Sequence, residues 1–243
     1  MRTVILVQAR VGSTRLPAKV LAAIDGRPMI WHVMQRCRAA YRADEVVLCT
    51  GMSNGNEELA MLARRHGWAL YRGSEEALSL LADAAMACRA ELVVRVTADC
   101  PLMDPAVIDG AIASFPARRA TAGLDLLYTT PGWPDGLDVE VMDADALILA
   151  KGEARELGDR EHVTTWLRRY AVAVAFRGGS SRTIPRPTRM AMDASRFANS
   201  AGARYRRRDG CRTIVTLCGG GSAAELIRAS RRRPGNQRTA NGR

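Results

Sequence analysis

The chain has 243 residues, 47% of them hydrophobic, and a formal net charge of +11. That length suits one large or two small domains with a real core, and no run of about eighteen apolar residues offers a membrane span. The charge does not describe a nucleic-acid-binding body: residues 196–243 carry 12 Arg, no Lys and 2 acids, while residues 1–195 carry 24 basic against 23 acidic side chains, so the basic character belongs to the tail.

In chain order, the apolar run at residues 4–7 predicts a buried strand. With the strand so close to residue 1 there is no room for a signal peptide, which sets the expectation of a cytoplasmic protein. The strand breaks into a loop with one Gly, two hydroxyls and the cations Arg10, Arg15 and Lys19. Backbone N–H groups and positive charge at a strand end suit a polyphosphate, although a solvated basic loop has the same composition. Neither G-x-x-x-x-G-K-[ST] nor G-x-G-x-x-G is present. Only Lys19 and Lys151 are lysines, which singles out Lys19, since Lys commonly binds phosphate as a point charge. Residues 28–42 show helical spacing of Ile30, Val33, Met34, Cys37 and Tyr41, with Pro28 as a helix start.

Residues 46–50 read as a second strand and 57–66 as a helix stopped by Gly67. Residues 69–71 form a third strand, and a helix starting at Ser74, Glu75 and Glu76 runs to about Arg89. Residues 92–96 are the fourth strand. This alternation predicts an α/β fold, a mainly parallel sheet with helices on both faces. Ligands of such sheets gather at strand carboxyl ends, so the loops after strands one and four should share a crevice. Asp99 in the second loop is a candidate for Mg²⁺, with a turn or cap aspartate as the alternative. Asp104 before Pro105 reads as an N-cap.

Residues 116–125 read as a polar connection and 126–130 as a strand. Alternation in Asp138-Val139-Glu140-Val141 places Asp138 and Glu140 on one face. Helices are predicted over 143–151 and 161–170, with His162 beside the apolar stripe of the second, and a strand over 171–176. Residues 196–243 lack sustained periodicity, contain triple-Arg and triple-Gly runs, and look weakly helical only over 222–233. They read as a poorly ordered tail following a domain of residues 1–195. The six cysteines show no metal or C-x-x-C spacing and read as reduced thiols.

Five stretches occur in order: Gln8-Ala9-Arg10-x-Gly12-Ser13-x-Arg15-Leu16-Pro17-x-Lys19, Arg72-Gly73-Ser74-Glu75-Glu76, Arg95-Val96-Thr97-Ala98-Asp99-Cys100-Pro101-Leu102-Met103-Asp104, Gly136-Leu137-Asp138-Val139-Glu140-Val141, and Arg160-Glu161-His162-Val163-Thr164. Together they resemble the cytidylyltransferases that activate acidic sugars, such as the CMP-sialic acid and CMP-KDO synthetases. The resemblance is closest to the spore coat polysaccharide biosynthesis protein F branch and covers roughly residues 3–193. It implies a doubly wound, Rossmann-like, nucleotide-diphospho-sugar transferase-like fold and CMP transfer from CTP to an acidic sugar or related acceptor with release of pyrophosphate, for glycan or cell-surface polysaccharide biosynthesis. It also implies a homodimer, Mg²⁺ on Asp99 and Asp193, and an acceptor pocket shaped by Asp138 and Glu140.

In this reading Gln8, Ala9, Arg10, Gly12, Ser13, Arg15, Lys19, Arg72 and Arg95 bind the nucleotide, and Arg10, Lys19 and Asp99 serve catalysis. The residues after Asp193 depart from the family pattern. Nucleic acid is left only non-specific binding through the tail. Two alternatives stand: a sugar-nucleotide-dependent glycosyltransferase, whose Asp-x-Asp motif Asp99-Cys100-Pro101 would break, and a non-catalytic homologue acting as a binding protein.

Overall fold

A computed structural model of the chain describes residues 1–13, 16–129, 133–134, 136–177, 180–183, 214–217 and 224–227. The first half alternates as the apolar runs predict. Strand β1 (Thr3–Gln8) leads through a 3-10 turn at Lys19–Leu21 and a two-residue ribbon, β2 (Ala23–Ile24) with β3 (Arg27–Pro28), into helix α1 (Met29–Ala39). Then follow β4 (Glu45–Gly51), α2 (Glu57–His66), β5 (Ala69–Gly73), α3 (Ala77–Cys88), β6 (Leu92–Thr97) and α4 (Pro105–Ala122). Strands β1, β4, β5 and β6 run parallel, in the order β6-β1-β4-β5.

The second half extends this sheet beyond β6. Strands β7 (Leu126–Thr129) and β8 (Glu140–Asp143) precede helices α5 (Ala144–Glu153), α6 (Leu157–Glu161) and α7 (Thr165–Tyr170), and β9 (Ala173–Arg177) and β10 (Ser180–Thr183) complete that edge. Strand β8 lies antiparallel between β6 and β7, and β9 is parallel to β7. At the far edge, β12 (Ala224–Ile227) pairs antiparallel with β5, and β11 (Ile214–Leu217) pairs with β12. The sheet is therefore mixed and mainly parallel in its centre.

Both faces are covered, so the central strands are apolar on both sides. Ile5 and Val7 point into a core with α1, α2 and α4, while Val4 and Leu6 point into a second core with α3, α5 and α7. Each such fully buried aliphatic side chain contributes about 1.5–3 kcal/mol. Helix α2 ends at Gly67, which takes φ 63°, and the Asp104 carboxylate caps α4 by accepting from Ala106 N at 2.8 Å.

Several boundaries differ from those read in the sequence. Residues 116–122 continue α4 as helix through Pro116, ending at Gly123 with φ 61°; Ala117, Ala120 and Ala122 are strong helix formers, and the polar reading of this stretch missed them. The helix expected over 161–170 is two short ones, broken where Val163 takes φ 40°, an outlier for a β-branched residue. Helix α3 begins after Glu76 and not at Ser74, whose Oγ instead accepts from Glu76 N at 3.1 Å. Strand β8 starts at Glu140, later than the alternation suggested. Within the tail, residues 224–227 are strand where a weak helix was read.

Candidate active site

Strand order reverses at β1. From β1 the chain builds outward through β4 to β5, then returns on the other side of β1 as β6. The crevice at the carboxyl ends of β1 and β6 is thus a topological switch point, where open α/β sheets take ligands. The two ends are fastened together: Ala98 N donates to the Gln8 carbonyl at 3.0 Å, and Arg95 Nε donates to Gln8 Oε1 at 3.1 Å.

One wall of the crevice is the loop after β1. It is folded back on itself, with Ser13 N and Ala18 N both donating to the Val11 carbonyl and Leu16 N donating to Ser13 Oγ at 3.4 Å. Ala18 is left-handed at φ 55°, and this turn delivers Lys19 to the crevice. Lys19 Nζ donates to Asp99 Oδ2 at 2.7 Å. Arg10 is exposed and reaches Glu161 at 3.5 Å. Gly12 is exposed with room above it: a Cβ there would meet nothing within 4 Å. Ala9 is buried and its N–H is taken by the Cys49 carbonyl at 2.9 Å, so this amide is not open to a base. Arg15 lies outside the described residues.

Asp99 follows β6 directly. Burial alone would raise its carboxyl, but the bonds from Lys19 and Thr97 outweigh that and hold it below the usual carboxylate range. Among the described residues no group of three or more His, Cys, Asp or Glu side chains is arranged to hold a metal. Mg²⁺ is commonly held by one or two carboxylates, with phosphates and water completing its shell. Asp99 therefore fits an ion that arrives with a phosphorylated ligand. Asp193 lies outside the described residues.

The other wall is a cavity of about 240 Å³ lined by Arg95, Thr97, Thr129, Asp138, Glu140 and Arg168. Glu140 is buried at its floor and fully engaged. Its Oε2 accepts from Arg95 at 2.5 Å; its Oε1 accepts from Thr164 Oγ1 at 2.6 Å and Arg168 Nη2 at 2.9 Å. Burial would raise its carboxyl, yet Arg95, Thr164 and Arg168 together hold it below the usual range. Glu140 was expected to help shape the acceptor pocket; it lines the cavity, with both oxygens already serving protein donors. Asp138 is exposed at the rim. The Arg168 guanidinium stacks over the Tyr128 ring at 4.1 Å.

Arg72 was expected to bind nucleotide. It is buried, with Nη1 on Glu57 at 2.6 Å and Nη2 on the Met52 carbonyl at 3.3 Å. It sits two strands away from the switch point and braces the loop after β4. That loop in turn supports the first wall, because Asn56 Oδ1 accepts from Val11 N at 3.0 Å. Glu75 closes on the same loop: its Oε1 accepts from Ser53 N at 2.6 Å, and a Cβ on Gly51 would lie 2.2 Å from its carboxylate. Sequence reasoning missed Thr97, Tyr128, Thr129 and Arg168. For Arg168 a signal existed. It stands four residues after Thr164, so both reach Glu140 from one helical face.

A family model described as Cytidylyltransferase matches residues 4–196. The spore coat polysaccharide biosynthesis protein SpsF of Bacillus subtilis is 30% identical over 237 residues, covering 94% of both chains. A 3-deoxy-manno-octulosonate cytidylyltransferase of Geobacter sulfurreducens is 38% identical over 123 residues, 49% of this chain and 48% of that one. Among solved structures, a cytidylyltransferase from Leptospira borgpetersenii superposes with a TM-score of 0.64 at 26% identity, over 69% of this chain and 71% of the other. The glycosyltransferase alternative is thereby set aside. A family model spanning most of the body, and a relative aligned over nearly the whole length, establish that the chain belongs to the cytidylyltransferase family.

Proposed function

We propose that this enzyme transfers CMP from CTP to an acidic sugar for the assembly of a surface polysaccharide, with the loop after β1 holding the triphosphate and the Arg95–Glu140 cavity holding the acceptor. An acceptor oxygen attacks the α-phosphorus, the bond to the bridging oxygen of the β-phosphate breaks, and its electron pair leaves with pyrophosphate. The acceptor proton passes to water. Such chemistry needs alignment and charge neutralisation more than covalent catalysis. Lys19 and Arg10 would exchange their carboxylate partners for phosphate oxygens. Asp99, with Asp193 as a second carboxylate, would hold Mg²⁺, which supplies charge neutralisation at the phosphates.

The observation that carries this reading is the joint between Gln8 and Arg95. It sets a cation-bearing loop and a polar cavity side by side at the switch point. A homodimer and a cytoplasmic location remain part of the reading, and the arginines of residues 196–243 leave nucleic acid a salt-sensitive, sequence-independent contact. Thermal melts with the four nucleoside triphosphates and Mg²⁺ test the nucleotide. CTP should raise the melting temperature most; a ligand at 100 times its Kd stabilises by about 2.7 kcal/mol. Equal shifts, or a preference for another base, would reject the reading.

A further inference from the structure

The cavity holds an Arg–Glu–Arg triad centred on the buried Glu140. Arg95 and Arg168 share the single carboxylate of Glu140, so the three side chains together hold one uncompensated positive charge. The donors are not all used. Arg95 Nη2 and Arg168 Nε and Nη1 find no acceptor among the described residues. Arg95 is pinned between Gln8 and Glu140, with its side chain 17% exposed, whereas that of Arg168 is 44% exposed at the cavity wall. Its guanidinium is already placed, lying over the Tyr128 ring and anchored by one bond to Glu140.

A planar fork already in place, with free N–H groups, suits a carboxylate. Asp138, exposed at the rim, offsets the remaining positive charge, so two guanidiniums face two carboxylates across the cavity and a singly charged carboxylate meets less repulsion there than a dianionic phosphate would. We propose that Arg168 is the residue that recognises the acceptor's carboxylate, with Glu140 acting as a positioning residue that aims it. This rests on the reading of the cavity as the acceptor site.

The test pairs a change in the enzyme with a change in the acceptor. Pyrophosphate release is followed with CTP, Mg²⁺ and a panel of 3-deoxy-manno-octulosonate, N-acetylneuraminate, their carboxamides, and neutral and phosphorylated sugars. Wild-type enzyme should favour an acid over its amide by about 30-fold in kcat/KM, the scale of a charged hydrogen-bonded contact. Arg168→Gln should compress that preference to below about 3-fold, leaving the KM for CTP nearly unchanged. Arg168→Lys should restore part of it, since the charge returns without the fork.

An unchanged acid-to-amide ratio in Arg168→Gln, or a change confined to the KM for CTP, overturns the assignment. Turnover of phosphorylated or neutral sugars in place of the acids overturns it too, as does failure of every acid in the panel while CTP still stabilises the fold. In that last case the nucleotide reading survives. If CTP also fails to bind, both fall together.

Discussion

On the β8 side of the crevice, Glu140 is 8% exposed and accepts bonds from three side chains. On the loop side, Lys19 and Asp99 keep 28% and 42% of their side-chain surface and hold each other through a single contact, while Arg10 and Glu161 meet 3.5 Å apart in solvent. The first arrangement is fixed before any ligand arrives. The second consists of pairs whose partners can be exchanged at little cost, because exposed ion pairs contribute about 0–1 kcal/mol. A transferase that must bind and release a triphosphate each cycle needs the second kind where phosphate lands. It benefits from the first where an acceptor must be aligned.

The sharpest way to break this contrast is to remove Glu140. Glu140→Ala leaves Arg95 and Arg168 facing each other without a counter-charge, and breaking a buried pair costs about 3–5 kcal/mol. Urea unfolding should show that loss; a change below about 1 kcal/mol would make the two walls equivalent. Acid titration sharpens the same point. The folded carboxyl is held below its ordinary value of 4.5. Its contribution is therefore complete above about pH 4.5 and disappears as pH falls through the lower folded value. Wild-type stability should decline over that acid interval, and Glu140→Ala should lack this part of the decline.

Asp99→Asn addresses the exchangeable wall. Pyrophosphate release should fall by about 100-fold or more, the size of losing a group that organises charge in the transition state. Unfolding should change by less than about 1 kcal/mol, since only a half-exposed pair is lost. Retained turnover would make Asp99 a turn residue, and a large stability loss would mean the pair is structural. The smallest effect is expected for Glu161→Gln. Freeing Arg10 from a competitor should tighten CTP binding by no more than about 5-fold in calorimetry. Weaker binding would show that Glu161 serves the nucleotide and does not compete with it.

The same contrast governs what could be read from the sequence. The loop wall is local: Gln8, Arg10 and Lys19 lie within twelve residues of one another after an apolar strand, and a scarce lysine drew attention to itself. The central strands were legible because residues 4–7, 46–50 and 92–96 are apolar on both faces, which follows from helices on both sides. The other wall is assembled across distance. Tyr128, Glu140 and Arg168 come from β7, β8 and α7, and β8 is inserted antiparallel between β6 and β7. No spacing in the chain announces that insertion. Glu140 could be picked out as a carboxylate on the right strand and Arg95 from its motif, but no spacing showed that Arg95, Thr164 and Arg168 converge on that carboxylate. Arg72 shows the reverse, since its place in a motif gave no sign of its burial against Glu57.

The short joint between α6 and α7 has a consequence for how the chain tolerates change in length. Arg160 Nε holds Glu76 at 2.6 Å, Glu161 meets Arg10, and Thr164 holds Glu140, while Val163 between them sits at φ 40°. Residues 160–164 thus fasten the start of α3, the loop after β1 and the cavity floor. An exposed connection ordinarily accepts insertions freely. Here one added or missing residue would put these attachments out of phase with one another, so this half-buried turn works as a fixed-length spacer between otherwise separate parts of the candidate site.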